Sequence, residues 1–135
     1  MAAQALRAFL GRLARRPRPG EAGEGLACRH LEASGYQILE RNFRCRSGEV
    51  DVVARHGDAT VFVEVKERRG SSHGEGQEAV TFGKRRRIVR AARLFAAARG
   101  LSDSAIRFDV IVIAWGADGH PRLRHDAGAF DADGR

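Results

Sequence analysis

The fold is decided by the stretch from Gly48 to Lys66, which reads GEVDVVARHGDATVFVEVK. Two runs rich in β-branched residues flank a His-Gly-Asp turn signal at residues 56–58, a pattern typical of two paired strands. In the second run the valines occupy alternate positions, so they share one face of a strand. We therefore predict strands over residues 48–55 and 60–67.

The flanking sequence extends this hairpin into a layered domain. A helix ending near Gly35 and a further strand precede it, and a Gly-rich and Ser-rich loop, a long helix and a strong strand follow it. The predicted bounds are helices over about 21–33 and 77–99, strands over about 36–45 and 107–115, and a short edge strand near Arg122. The order α-β-β-β-α-β predicts the α/β class, bordering on α+β, with a mixed central sheet flanked by helices.

Length and composition predict a single soluble domain. The chain has 135 residues, and its longest apolar run, Val110 to Trp115, is too short to span a membrane. Its two cysteines form no metal-binding or disulfide pattern, which predicts a reducing, cytoplasmic location. Prolines 17 and 19 separate an Arg-rich extension, residues 1–19, from the domain at residues 20–135.

The charge is positive and concentrated in two places. Lys and Arg number 24 against 17 Asp and Glu, a net charge of +7 that makes a polyanionic partner a reasonable hypothesis. Beyond the extension, basic residues cluster on the second predicted helix, with no acid between Glu78 and Asp103. We predict that Lys84, Arg86, Arg87 and Arg90 contact nucleic-acid phosphates. A solvent-exposed helix face explains the same pattern, and the sequence leaves both interpretations open.

Charged residues also interrupt the hairpin itself. Glu64 and Lys66 project from the same face of their strand, and an in-register hairpin brings Asp51 beside them. Two carboxylates and a strand carbonyl, that of Val65, are hard oxygen ligands that suit Mg²⁺, with Mn²⁺ as a substitute. A lysine beside the metal can orient the attacking water and offset the charge of a phosphate. The alternative is an exposed ion pair between Glu64 and Lys66, with Asp51 at a turn.

At these motifs the sequence resembles a known family. GEVDVVA followed by VFVEVK, with a Glu-bearing helix before them and a basic helix and RFDVIVI after them, is similar to the YraN family. That family belongs to the restriction-endonuclease-like PD-(D/E)xK superfamily and is similar to Holliday junction resolvases. The resemblance implies an αβββαβ core in which Asp51, Glu64 and Lys66 are the metal-binding and catalytic triplet. It also implies that Glu24 brings a further acid to the metal. This sequence departs from the superfamily motif at the position before Asp51, which is Val50 where the superfamily name has proline.

Two hypotheses of different classes follow. The first is a metal-dependent endonuclease that hydrolyses phosphodiester bonds in DNA, with branched or junction DNA among the candidate substrates. The second is a nucleic-acid-binding or partner-binding module that keeps the fold without the chemistry. Acids that face a polyanion weaken binding, so the acidic set favours the enzyme. A homodimer is compatible with either hypothesis.

Overall fold

The computed structural model describes residues 21–69 and 80–135. Its helices and strands are, in chain order, α1 (Glu21–Ala33), β1 (Gln37–Cys45), β2 (Gly48–His56), β3 (Ala59–Arg69), α2 (Phe82–Ala98), β4 (Ala105–Trp115) and β5 (Pro121–Phe130). The predicted αβββαβ order is confirmed, and the edge strand predicted near Arg122 is β5, which is longer than expected at ten residues. The proposed N-terminal extension, residues 1–19, lies outside the described residues.

The five strands form one mixed sheet in the order β1-β2-β3-β4-β5. The first three strands are a consecutive antiparallel meander, and the β2–β3 turn contains Gly57 with a positive φ of 61°. The pairing of β3 with β4 is parallel, so the chain must cross over between them, and α2 lies in that connection. β5 then returns antiparallel to β4. The predicted mixed sheet is therefore confirmed.

A separate apolar core covers each face of the sheet. On one face Ala27 and Leu31 of α1 pack with the strand cluster that includes Val63. On the other face Ile88 and Phe95 of α2 pack with a second strand cluster. The central strand β3 is apolar at consecutive positions because both of its faces are covered. Within the described parts of the chain, no helix is long and apolar enough to cross a membrane.

The start of α2 corrects the sequence prediction, which placed it near residue 77. Thr81 is the N-cap, with an extended backbone and a hydroxyl oxygen that accepts from the Lys84 amide at 3.2 Å. The helix therefore begins at Phe82. The apolar Val80 suggested an earlier start, but it is a buried residue that precedes the cap.

A fully buried carboxylate, that of Asp109, connects the edge strand to the rest of the fold. Arg107 Nε donates to one oxygen at 2.9 Å, and the Gly128 amide donates to the same oxygen at 3.0 Å. His125 Nε2 at 2.8 Å and the Tyr36 hydroxyl at 3.1 Å approach the other oxygen. Burial alone would raise the pKa of Asp109, but the hydrogen bonds from Arg107, Gly128 and His125 outweigh burial and lower it. Arg107 and Asp109, two residues apart on β4, thus form an ion pair around a buried carboxylate.

We expect the loss of Asp109 to destabilise the fold strongly. Because its folded-state pKa is lowered, its contribution is present above the unfolded-state pKa and is lost as the pH falls through the folded-state value. Asp109→Ala removes one partner of a buried ion pair, a change that costs about 3–5 kcal/mol. Urea unfolding at neutral pH measures this loss. Asp126→Ala, which removes an exposed carboxylate of β5, is the control, and its loss in free energy of unfolding should stay below about 1 kcal/mol. Equal losses in the two variants would contradict the role given to Asp109.

Candidate active site

The candidate site lies where β2 and β3 separate. Their backbone pairing runs from His56–Ala59 as far as Val52–Val63. Beyond that pair, Asp51 Oδ2 accepts a hydrogen bond from the Val65 amide at 2.8 Å. A carboxylate thus serves as the acceptor at a point where a continuous ladder would supply a backbone carbonyl. The separation of the strands provides the space in which this side chain lies.

Asp51, which is partly buried, and Glu64, which is buried, form a pair of carboxyl groups. Glu64 is only 3% exposed, and the two groups share a hydrogen bond. Burial, together with the negative charge of Glu64, raises the pKa of Asp51 to about 7, although the Val65 amide and the charge of Lys84 act in the opposite direction. A group with this pKa exchanges its proton near neutral pH. The pair can therefore either share a proton or, when ionised, receive a cation.

Lys84, in the first turn of α2, supplies the cation that contacts this pair. Its Nζ forms an ion pair with Glu64 Oε1. Burial by itself would lower the pKa of Lys84, but the hydrogen bond and the charge of Glu64, with a smaller contribution from Asp51, raise it. Lys84 therefore remains charged against the acidic pair. The sequence assigned it to phosphate binding and did not anticipate this contact.

Glu24 reaches the same region from α1. Burial raises its pKa, and the negative charge of Asp51 adds to the effect, whereas a hydrogen bond from Asn42 and the charge of Arg41 oppose it. Arg41 Nη2 lies 3.9 Å from Glu24 Oε2. Asn42 has a positive φ of 57°, a conformation that asparagine tolerates better than most residues. The unusual backbone conformation of Asn42 thus accompanies its hydrogen bond to Glu24.

The remaining members of the predicted site lie on β3. Lys66 is half-buried and shares a strand face with Glu64 through the alternation of side chains. The ion pair with Glu64 is nevertheless made by Lys84, and Lys66 forms none with a described residue. The N–H and C=O of one strand residue face the same neighbouring strand. Since the Val65 amide faces Asp51, its carbonyl faces that side as well.

The four basic residues predicted to bind phosphate divide between two clefts on either side of α2. Lys84 and Arg87 line a cleft of about 480 Å³, together with Arg44 from β1. Arg86 and Arg90 line a second cleft of about 610 Å³, which the C-terminal residues close on its other side. Only the first cleft adjoins the acidic pair, because Lys84 contacts Glu64 from it.

The donor set fits a magnesium ion that keeps part of its water shell. Mg²⁺ is commonly bound through one or two carboxylates, with waters and substrate phosphates as its other ligands. Asp51 and Glu64 supply two carboxylates, and the Val65 carbonyl is a candidate third oxygen. No cluster of three or more His, Cys, Asp or Glu side chains that could hold a metal occurs within residues 21–69 and 80–135. The fit is therefore to a lightly ligated ion and not to a protein cage.

Comparison with known proteins assigns the chain to a family. The model of the uncharacterised protein family UPF0102 matches residues 23–113. The chain belongs to UPF0102, the YraN family that its motifs resemble. The UPF0102 protein STH1475 of Symbiobacterium thermophilum is 50% identical over 115 residues, which are 85% of this chain and 98% of the relative. The UPF0102 protein Franean1_1156 of a Parafrankia species is 48% identical over 113 residues, 84% of this chain and 96% of the relative.

One solved structure shows a distant likeness to this UPF0102 chain. It is Pyrococcus furiosus SfsA in complex with Ca²⁺, with 14% sequence identity and a TM-score of 0.40. The alignment covers 81% of this chain and 62% of the SfsA chain. At that TM-score the likeness has no bearing on function.

The raised pKa of Asp51 predicts a specific dependence of stability on pH. An acid whose pKa is raised on folding takes up a proton as the protein folds, so stability falls as the pH rises from the unfolded value of 3.8 toward about 7. We expect Asp51→Asn to remove this loss and to stabilise the protein above neutral pH by roughly 1–4 kcal/mol, since one pKa unit corresponds to about 1.4 kcal/mol.

Urea unfolding between acid and alkaline pH measures the effect. Glu49→Gln is the matched control, because it removes an exposed carboxylate from the same strand. An Asp51→Asn variant whose stability changes with pH as that of the wild type does would contradict the raised pKa of Asp51.

Proposed function

We propose that this protein is a metal-dependent phosphodiesterase that cleaves nucleic acid, with DNA as the first candidate substrate. The observation that carries the proposal is the buried pair of Asp51 and Glu64 beside a cleft rimmed with basic side chains. Two carboxylates that share a buried site repel each other and cost stability. A divalent cation removes that repulsion, which gives the arrangement a chemical purpose that a structural role lacks.

Each residue of the candidate site would have a distinct part in binding the metal or the substrate. Asp51 and Glu64 would hold the cation, and the hydrogen bond from the Val65 amide keeps Asp51 oriented. Glu24, whose pKa is raised in part by the charge of Asp51, would accept hydrogen bonds from water bound beside that residue. Mg²⁺, or Mn²⁺, would lower the pKa of a bound water and neutralise charge at the phosphate. Lys66 would donate to the attacking water or to a phosphate oxygen.

The polyanionic character of the substrate follows from the charges around the cleft. Arg44 and Arg87 line its walls, while Arg86 and Arg90 line the second cleft on the other side of α2. Phosphate contacts by arginine position a nucleic acid without reading its sequence. The basic side chains therefore support a nucleic-acid substrate. The cleavage assay below distinguishes single-stranded, duplex and branched substrates. The free cysteines Cys28 and Cys45 fit a reducing, cytoplasmic compartment.

The test is a cleavage assay on the full chain with duplex, single-stranded, flapped and branched DNA. We expect cleavage that requires Mg²⁺ or Mn²⁺ and that falls by about 100-fold or more in Asp51→Asn and in Lys66→Ala. Asp51→Asn should retain affinity for DNA in Ca²⁺, or gain it, because a negative charge next to the phosphate is removed.

Glu49→Gln is the control for general charge effects. Glu49 lies two residues from Asp51 and lines the same cleft, but its carboxylate is exposed and pairs with Arg44 at 3.4 Å. Its substitution should leave the metal requirement in place. If no substrate is cleaved while all variants bind DNA alike, the non-catalytic binding module is the correct reading.

A further inference from the structure

Lys84 belongs to two environments at once. Its ammonium group contacts Glu64, whose side chain is 3% exposed, while the Lys84 side chain itself is 41% exposed and lines the cleft of about 480 Å³. A lysine that is merely an exposed phosphate contact has no need to reach a buried carboxylate. A purely structural ion pair, in turn, has no need to lie along an open cleft.

The position of Lys84 within α2 makes its pairing with Glu64 more significant. The amino-terminal end of a helix carries a partial positive charge, which disfavours a cation in the first turn. The first turn of α2 contains no acidic residue that could offset this effect. Lys84 is therefore held there by charges from outside its own helix, and Glu64 is the partner that the ion pair supplies.

We propose that Lys84 is an exchangeable counter-cation, which occupies Glu64 while the site lacks a metal and turns to a substrate phosphate when a divalent cation binds. The inference rests on the proposed function, because it requires a metal at Asp51 and Glu64. A metal that takes Glu64 Oε1 displaces the ammonium from that oxygen, and the two positive charges repel each other. The long, flexible side chain of Lys84 then leaves the ammonium in the cleft that Arg44 and Arg87 line.

The exchange couples metal binding to anion binding. The metal frees a cation for a phosphate, and a phosphate that holds the ammonium frees Glu64 for the metal. Such coupling is reciprocal: each ligand raises the affinity for the other by the same factor. Arg87 differs, because it lines the cleft as an exposed residue and its guanidinium makes no ion pair with a described carboxylate. It is available to phosphate with or without metal.

The first measurement is calorimetric titration of the full chain with Ca²⁺ in alkaline buffer without nucleic acid. Lys84→Gln should bind Ca²⁺ about tenfold more tightly than wild type, or about 1.4 kcal/mol, because it removes the competing charge. Lys84→Arg keeps the charge and should stay close to wild type. Arg87→Gln is the matched control and should also stay close to wild type.

The second measurement is the salt dependence of affinity for a duplex oligonucleotide, in EDTA and in Ca²⁺. Each lost phosphate contact lowers the slope of log affinity against log salt by about 0.9. Lys84→Gln should lower the slope in Ca²⁺ and leave it unchanged in EDTA. Arg87→Gln should lower it by the same amount in both.

The outcomes separate this inference from the proposal on which it rests. Normal Ca²⁺ binding by wild type with unchanged or weaker binding by Lys84→Gln overturns the exchange and leaves the proposed function intact. An equal loss of slope in EDTA and in Ca²⁺ likewise overturns it, since Lys84 would then be a permanent phosphate contact. If wild type binds no Ca²⁺ over the whole concentration range of the titration, the proposed function and the exchange are overturned together.

Discussion

The burial of Asp51 beside Glu64 is the constraint on which the site depends. The two carboxyl groups lie together because β2 and β3 separate after the Val52–Val63 pair, which leaves Asp51 to accept the Val65 amide. Like charges in a buried place are costly, so the surrounding elements bring compensation. Lys84 reaches in from α2, which begins after the Thr81 cap and packs on the hydrophobic core.

Asp109, which is fully buried, shows what a structural carboxylate looks like in the same sheet. The Asp109 carboxylate accepts hydrogen bonds from Arg107, His125 and a backbone amide, and its pKa is lowered. Asp51 accepts one hydrogen bond from a backbone amide and lies beside the acidic Glu64, and its pKa is raised to about 7. The first group is satisfied within the protein and stabilises the fold. The second, when it is ionised beside Glu64, carries negative charge that Lys84 offsets only in part, and a divalent cation would offset the rest.

Much of this architecture could be predicted from short-range patterns. Alternation of apolar residues located the strands, and the helical spacing of apolar residues before Gly35 located α1 with the bounds that the structure has. The start of α2 was misplaced because the capping by Thr81 depends on one side-chain hydrogen bond and not on periodicity. β5 was underestimated because its residues are mostly exposed, and it is held instead by the long-range contacts of Asp109.

Some contacts of the candidate site could likewise be predicted from short-range patterns, and others could not. Asp51 and Glu64 could be paired from strand alternation, which requires only a hairpin. Lys84 could not be placed on Glu64 from the sequence, because that contact depends on how α2 packs across the sheet. A lysine in a helical first turn with no acidic neighbour was the available signal. An asparagine within a predicted strand was likewise the available signal for the positive φ of Asn42 beside Glu24.

The most direct measurement follows the side-chain carboxyl carbons of Asp51 and Glu64 by NMR as the pH is varied, with and without Mg²⁺. The account predicts that, without metal, one titration of the pair has a midpoint near the value of about 7 given for Asp51. It also predicts that Mg²⁺ shifts this midpoint downward, because the cation stabilises both ionised carboxylates. A midpoint near about 4 for Asp51, unaffected by Mg²⁺, would contradict it.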